Sequence, residues 1–379
     1  MKAEFVSTIQ SVSPQHWRQL WNTSYPFIQH EFLSALEVCG STHRQTGWQP
    51  SHLILRDRQR LLAAMPLFIK SHSYGEYVFD WAWADAYHRS GLDYYPKLVT
   101  SIPFTPATGP RLAIADGVDK NTVYPLIFSS LKDKAAAINA SSWHCLFPEP
   151  PLSKALNDLG FASRMGCQFH WFNSDYESFD EFLSTFTSRK RKTLNRERRR
   201  VREQGVTMEV LSGGEVSSAQ WDLFYQFYQL TYFKRSGHQG YLGPGFFHHL
   251  GKTIPDKLVL VLAKYHGDIV AAALNFRDDH TLYGRYWGCR AEFDALHFEA
   301  CYYRGIEYAI ANGLQRFDPG AQGEHKIQRG FIPTPTWSNH WIADARFRPA
   351  IEAYLHRDAQ SSKHYIEDAT TYLPFKKEG

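Results

Sequence analysis

The chain has 379 residues, with 42 Lys and Arg against 38 Asp and Glu, a formal charge of +4. With 43% apolar and 21% charged residues it can bury substantial cores, and its length suits two or three domains and excludes a disordered tail. Five scattered cysteines (Cys39, Cys145, Cys167, Cys289, Cys301), odd in number and well separated, exclude a zinc ribbon, a C-x-x-C redox site and a disulfide scaffold. No metal site and no tightly bound cofactor is expected. The opening MKAEFVSTIQ has no apolar signal-peptide core, and no run approaches the ~18 apolar residues of a membrane span. The expectation is a soluble, cytoplasmic protein.

In chain order, residues 51–56 and 61–70 are apolar runs around the polar turn 57–60 and read as a hairpin. Residues 77–84 (YVFDWAWA) read as a third strand, 118–140 as a helix and 143–147 as a closing strand before the Pro148-Glu149-Pro150-Pro151 break. Beyond it come a strand at 168–173, a long helix at 178–203, and a strand at 206–211 after the Gly205 stop. An aromatic-rich helix at 220–233 precedes a hairpin, 258–265 with 269–277, across His266-Gly267-Asp268. Strand 281–288, helix 296–312 closed by Gly313, and strand 316–318 lead into the glycine-rich 319–323. This order is that of mixed α/β (α+β) sheets flanked by helices. Two tandem domains are expected, 1–155 and 156–379, the second carrying a basic helical segment at 178–204.

Several chemistries lack their motifs. There is no G-x-x-x-x-G-K-[ST], no G-x-G-x-x-G after a strand, no H-E-x-x-H and no G-x-S-x-G. The most informative stretch is DPGAQGEHKIQRGF at 318–331, where Asp318, Gln322, Glu324, His325, Lys326 and Arg329 crowd a turned loop at a strand's C-terminal end, the usual ligand position in α/β sheets. Glu324 or His325 suits a base near neutral pH, and Lys326 and Arg329 suit an anion or developing oxyanion. The competing reading is a loop whose charges pair with one another. In RKRKTLNRERRRVR at 189–202 nine of fourteen residues are basic and one, Glu197, is acidic. At least one helix face must be solvated and positive, which suits nucleic-acid phosphates through Arg196, Arg199 and Arg200. In SHSYGEYVFDWAWADAY, Trp81 and Trp83 would share a strand face, and with Asp85 form an aromatic wall for an amine acceptor. Asn275, Arg285 and Tyr286 are the polar side chains on the paired strands that follow.

These segments, in this order, resemble a known family. SRKRKTLNRERRRVREQGVTMEV, LVLAKYHGDIVAAALNF, TLYGRYWG, HFEACYYRGIEYAIANG and FDPGAQGEHKIQRGF are similar to the FemAB-like branch of the GNAT (acyl-CoA N-acyltransferase) superfamily. The group they resemble is that of predicted N-acyltransferases, or peptidoglycan biosynthesis/recognition proteins, and the likeness covers most of the chain. The resemblance implies two tandem GNAT-like domains, an active cleft near their junction, and transfer of an acyl or aminoacyl group to an amine in a ternary complex. The donor would be aminoacyl-tRNA or acyl-CoA, the acceptor a small-molecule or peptide amine, with possible peripheral contact to a membrane-bound precursor. KIQRGF resembles the Fem pattern of a Lys shortly before Gly-Phe, which carries a substrate-contact role to Lys326. GNAT enzymes take the CoA pyrophosphate on a Q/R-x-x-G-x-G/A loop; here residues 288–295 (GCRAEFDA) lack its second glycine, and Glu292 and Asp294 would repel phosphate. That favours an RNA-borne donor. The alternative is a non-catalytic module of the same fold that recognises cell-wall precursor or RNA.

Overall fold

A computed structural model describes residues 1–321 and 323–376. It divides into two compact units, each discontinuous in sequence: Met1–Gly166 with Pro335–His364, and Cys167–Thr334 with Tyr365–Gly379. The Pro148–Pro151 break that suggested a boundary at 155/156 opens a helix, because a proline in the first turn has no N–H to leave unsatisfied.

The first unit runs through β1 (Lys2–Val6), α1 (Pro14–Trp21), α2 (His30–Val38), β2 (Trp48–Pro50), β3 (His52–Asp57), β4 (Arg60–Met65), β5 (Phe68–Lys70), α3 (Trp81–Arg89), β6 (Lys97–Thr100), β7 (Ala113–Ile114), α4 (Lys120–Ala137), β8 (Ser142–Leu146), α5 (Pro150–Asp158) and the start of β9 (Ala162–Phe172). β1, β3, β4 and β7 form one antiparallel sheet, and β2, β5, β6 and β8 line up in a second. The expected hairpin is β3–β4, but the apolar run 61–70 is cut after Met65 at Pro66, which cannot donate to a ladder, and resumes as β5 in the other sheet. Leu53, Leu55 and Leu62 pack with Val123, Ile127 and Leu131 of α4 and with Trp143.

The third expected strand is a helix. WAWADAYHR forms α3, whose Trp83 and Tyr87, four apart, pack with Ile351 and Leu355. Residues two apart on a helix point to nearly opposite sides, so Trp81 is 44% exposed while Trp83 is 4% exposed.

In the second unit come α6 (Phe179–Ser184), α7 (Ser188–Glu203), β10 (Val206–Ser212), α8 (Ser218–Ser236), α9 (Phe246–Thr253), β11 (Leu258–Tyr265), β12 (Asp268–Arg277), β13 (Thr281–Cys289), α10 (Leu296–Phe298), a π-helical turn (Glu299–Tyr303), α11 (Arg304–Ala311), β14 (Arg316–Asp318), β15 (Ile332–Ile342) and α12 (Arg348–Thr371), the last two shared with the first unit. The strand order is β10-β11-β12-β13-β14-β9, with β13 and β14 parallel and the other pairs antiparallel. One long helix was expected at 178–203. The chain instead breaks at Thr185–Thr187, where Phe186 pairs with Phe375, Thr187 N–H donates to the Pro374 carbonyl and Lys376 N–H to that of Thr185. Gly305 is a required glycine: a Cβ there would lie 2.4 Å from the Phe317 ring, so its absence lets the helix close onto β14.

Candidate active site

β14 delivers Asp318 into the interior of the second unit, where it is 1% exposed. The chain then turns through Gly320 and Gly323 at φ +97° and +115°, conformations that L side chains rarely adopt. A Cβ on Gly323 would also strike the His325 ring at 2.3 Å. Asp318 Oδ2 accepts from Arg285 Nη2 at 2.6 Å, and its Oδ1 accepts from Arg285 Nη1 at 3.2 Å and Gly320 N–H at 2.9 Å. His170 Nε2 lies 3.8 Å from the same oxygen. Burial opposes ionisation of Asp318, yet the Arg285 guanidinium beside it holds the carboxyl well below the usual carboxylate range. Burial pushes His170 down to about 4, so that imidazole is neutral at pH 7. Lys326 is buried on the six-residue turn Glu324–Arg329 and donates to the Gly320 carbonyl at 2.6 Å. Burial pushes its ammonium down to about 8 against the opposing pull of Asp318.

Next to Lys326, His325 Nε2 lies 2.8 Å from the Tyr302 hydroxyl, and its ring is flanked by Phe298 and His297. Partial burial, with Lys326 and Arg329 nearby, lowers the His325 pKa below the ordinary histidine value, so the ring is mostly neutral at pH 7 and part of it faces solvent. Arg329 is committed elsewhere. Its guanidinium lies 3.4 Å from the Phe298 ring centroid and donates to Glu197 Oε1 at 2.8 Å, the Tyr303 hydroxyl at 3.0 Å and the His325 carbonyl at 2.7 Å. Glu324 is exposed, and Oε1 accepts from the Tyr365 hydroxyl at 2.8 Å.

The structure therefore brings together Asp318, Arg285 and Lys326, with His325 adjoining on the same turn. Asn275 lies against Gly284, fully buried, donating to the Val259 carbonyl at 3.4 Å. Tyr286 is packed among Tyr228, Phe247 and Phe276 in an aromatic core. Gln322 lies outside the described residues. Trp81, Trp83 and Asp85 belong to the first unit and make no common wall, because they sit on a helix: Trp83 faces His340, while Asp85 is exposed and paired with Arg89. The sequence reading missed His170, Tyr302, Tyr303 and Glu197. Of these, Glu197 carried a visible signal as the lone acid in a basic run.

That acid orients α7. Glu197 accepts from Arg329 and Tyr303, while Arg198 beside it pairs with Glu299 at 3.1 Å and Glu307 at 2.7 Å. With Leu194 and Val201 they define the inner face. Arg189, Lys192, Arg196, Arg199 and Arg200 fall on the outer face and are all exposed. Arg199 pairs with Glu203 at 3.4 Å and Arg200 with Asp294 at 2.8 Å; Arg189, Lys192 and Arg196 have no acidic partner among the described residues.

Comparisons with known proteins agree with the sequence resemblance. The FemAB-like family model, described as peptidoglycan biosynthesis/recognition, matches residues 8–377. No curated protein matches the sequence. Among solved structures, a crystal structure of FemX aligns with a TM-score of 0.53 at 14% identity, covering 93% of this chain and all of that one. L-PGS from Bacillus licheniformis aligns at 0.50 with 13% identity over 89% of this chain and 96% of that one. A conserved protein from Bacteroides thetaiotaomicron aligns at 0.51 with 11% identity over 89% and 98%. At such identities these likenesses speak for the fold.

Proposed function

The chain belongs to the FemAB-like family of peptidoglycan biosynthesis/recognition proteins, and from that premise we propose that it is an N-acyltransferase moving an aminoacyl group from tRNA to an amine acceptor. The observation that carries this reading is the pairing, on one turn, of a half-open neutral imidazole with a buried ammonium whose pKa is about 8. In direct attack, the acceptor nitrogen forms the new C–N bond and the donor's C–O bond breaks. His325 takes the proton that the amine sheds and returns it to the departing oxygen. Lys326, still charged at neutral pH, sits in a water-poor site where a cation stabilises the oxyanion far better than it would in water. Asp318 and Arg285 satisfy one another and fix the turn through Gly320, so their role is to hold Lys326 rather than to meet substrate. Glu324 suits the base less well, since it is exposed and already engaged by Tyr365.

The outer face of α7 supports a polyanionic donor, as five exposed cations on one helix face attract a phosphate backbone. No helix among the described residues is long and apolar enough to cross a membrane. The test supplies bulk tRNA charged with labelled amino acids and a cell-wall peptide amine, with acetyl-CoA as a parallel donor. Label entering a new amide from the charged tRNA, lost in H325Q and K326A variants that still fold, is the expected result. Equal activity in both variants would overturn the site. Binding of tRNA without transfer by wild-type protein would favour the recognition module.

A further inference from the structure

The first unit holds a second set of buried charges that the transferase reading does not use. Lys70 ends β5, Lys97 opens β6, and the two strands pair with Lys70 directly opposite Lys97. Both lysines are fully buried. Two like charges side by side on one sheet face repel and are costly to desolvate unless anions are brought to them. The anions come from the irregular segment 71–80. Lys97 donates to Glu76 Oε2 at 2.8 Å, to Ser73 Oγ at 2.7 Å and to Asp80. Lys70 stands 3.8 Å from Glu76 Oε1, rests 3.8 Å from the centroid of the Trp48 ring and donates to the Tyr74 carbonyl at 3.2 Å.

The two carboxylates fit this place unequally. Asp80 also accepts from the Tyr94 hydroxyl at 2.7 Å, which leads on through His144 to His340, both imidazoles kept neutral by burial. Glu76 lacks that tyrosine bond, and one oxygen of each carboxylate, Glu76 Oε1 and Asp80 Oδ1, is buried with no hydrogen-bond partner among the described residues. Burial pushes the Glu76 carboxyl up to about 7 and the Lys70 ammonium down to about 7, the sign of charges poorly solvated where they are. The covering segment also turns Tyr74 and Phe79 to solvent, each more than half exposed, with the exposed Trp81 ring 5.4 Å from Tyr74. It bends at Gly75 and at Tyr77, whose φ of +61° is a conformation that a bulky L residue holds at a cost.

We propose that Lys70 and Lys97 form an anion-binding site in which Glu76 stands in for the ligand until a small polyanion bearing carboxylate or phosphate oxygens displaces it and lifts the 71–79 strap, Asp80 staying on Tyr94 and Lys97. The exchange keeps a negative partner beside both lysines, so it avoids the large penalty of leaving a buried cation bare. It also returns Glu76 to water, where a carboxylate is best solvated. The site stands whether or not the protein transfers acyl groups.

Calorimetric titration of the full-length protein with pyrophosphate, and separately with malonate, tests this. In E76Q, where the internal competitor is neutral, at least one anion should bind about tenfold tighter than in wild type, and K70M should lose that binding. Pyrophosphate alone assigns a phosphate-bearing ligand, malonate alone a carboxylate ligand, and both a site that reads charge. No binding of either anion to folded E76Q, or undiminished binding to K70M, overturns the proposal. Should the variants fail to fold, amide hydrogen exchange on wild-type protein decides. Saturating anion must accelerate exchange across 71–79, and an unchanged rate with anion bound refutes the strap.

Discussion

Lys326 and His325 need opposite protonation states for the proposed reaction, and their environments supply both at neutral pH. The imidazole, lowered below its ordinary value by burial and by the nearby cations Lys326, Arg329 and Arg235, loses its proton before neutrality is reached. The ammonium keeps its own until about pH 8. The expected kcat/KM profile therefore rises through a limb below pH 6.5, is flat near neutrality and falls through a limb near 8. In K326R the guanidinium cannot deprotonate, so the alkaline limb should move out of range even if the plateau drops; a limb that stays near 8 assigns it to another group. Asp318 carries a different expectation. Its depressed carboxyl contributes stability that is fully present above the unfolded value near 3.9 and is lost as pH falls toward the folded one. D318N strands Arg285 without its buried partner and should cost about 3–5 kcal/mol in urea unfolding at pH 7. The gap to wild type should narrow at pH 3. The clustering of Asp318 with Lys326 was legible in the sequence because both lie within one short loop after a strand. His170 was not, because its place beside Asp318 depends on β9 pairing with β14, a contact between segments far apart in the chain.

At the scale of the element, α7 was legible as a helix with a charged face, but its composition alone could not say which charges are free. Three-dimensional pairing removes Arg198 into an ion-pair cluster and turns the lone acid inward, leaving Arg196, Arg199 and Arg200 outward. The surface pairs of Arg199 and Arg200 are each worth at most ~1 kcal/mol and do not compete with a phosphate backbone. Replacing the three arginines with glutamine should weaken tRNA binding and reduce the slope of log K against log salt by roughly 2–3; a slope equal to wild type removes the RNA role. The hairpin β11–β12 and strand β13 were readable from local turns and apolar runs. The break between α6 and α7 was not, since it is made by Phe375, almost two hundred residues from Phe186. WAWADAY misled because its alternating tryptophans also satisfy a helix in which only Trp83 and Tyr87 face inward. Residues 332–371, which hold β15 and α12, went unread: the prolines in IPTPTW mask a strand.

The whole molecule depends on that unread segment. The first unit is completed by residues 335–364, which return after residues 167–334 of the second unit. Within the first unit, Ser338–Ile342 pairs along β8, and Ile342, Ile351 and Leu355 cluster with Trp83, Tyr87 and Tyr94. Burying three such aliphatic side chains contributes roughly 5–9 kcal/mol, an upper estimate because an unfolded chain already hides some surface. A domain's whole stability is about 5–15 kcal/mol, so losing this segment removes most of it, before the unpaired edge of β8 is counted. A fragment ending at residue 155 should therefore lack the near-ultraviolet circular dichroism of packed tryptophans and show no cooperative urea transition. Joining 335–364 to residues 1–166 through a flexible linker should restore both, because the cost of closing such a loop grows only slowly with its length. A cooperative transition in the 1–155 fragment alone would mean that β8 and α3 are held by local contacts, and that the returning segment is a passenger rather than a part of the first unit's core.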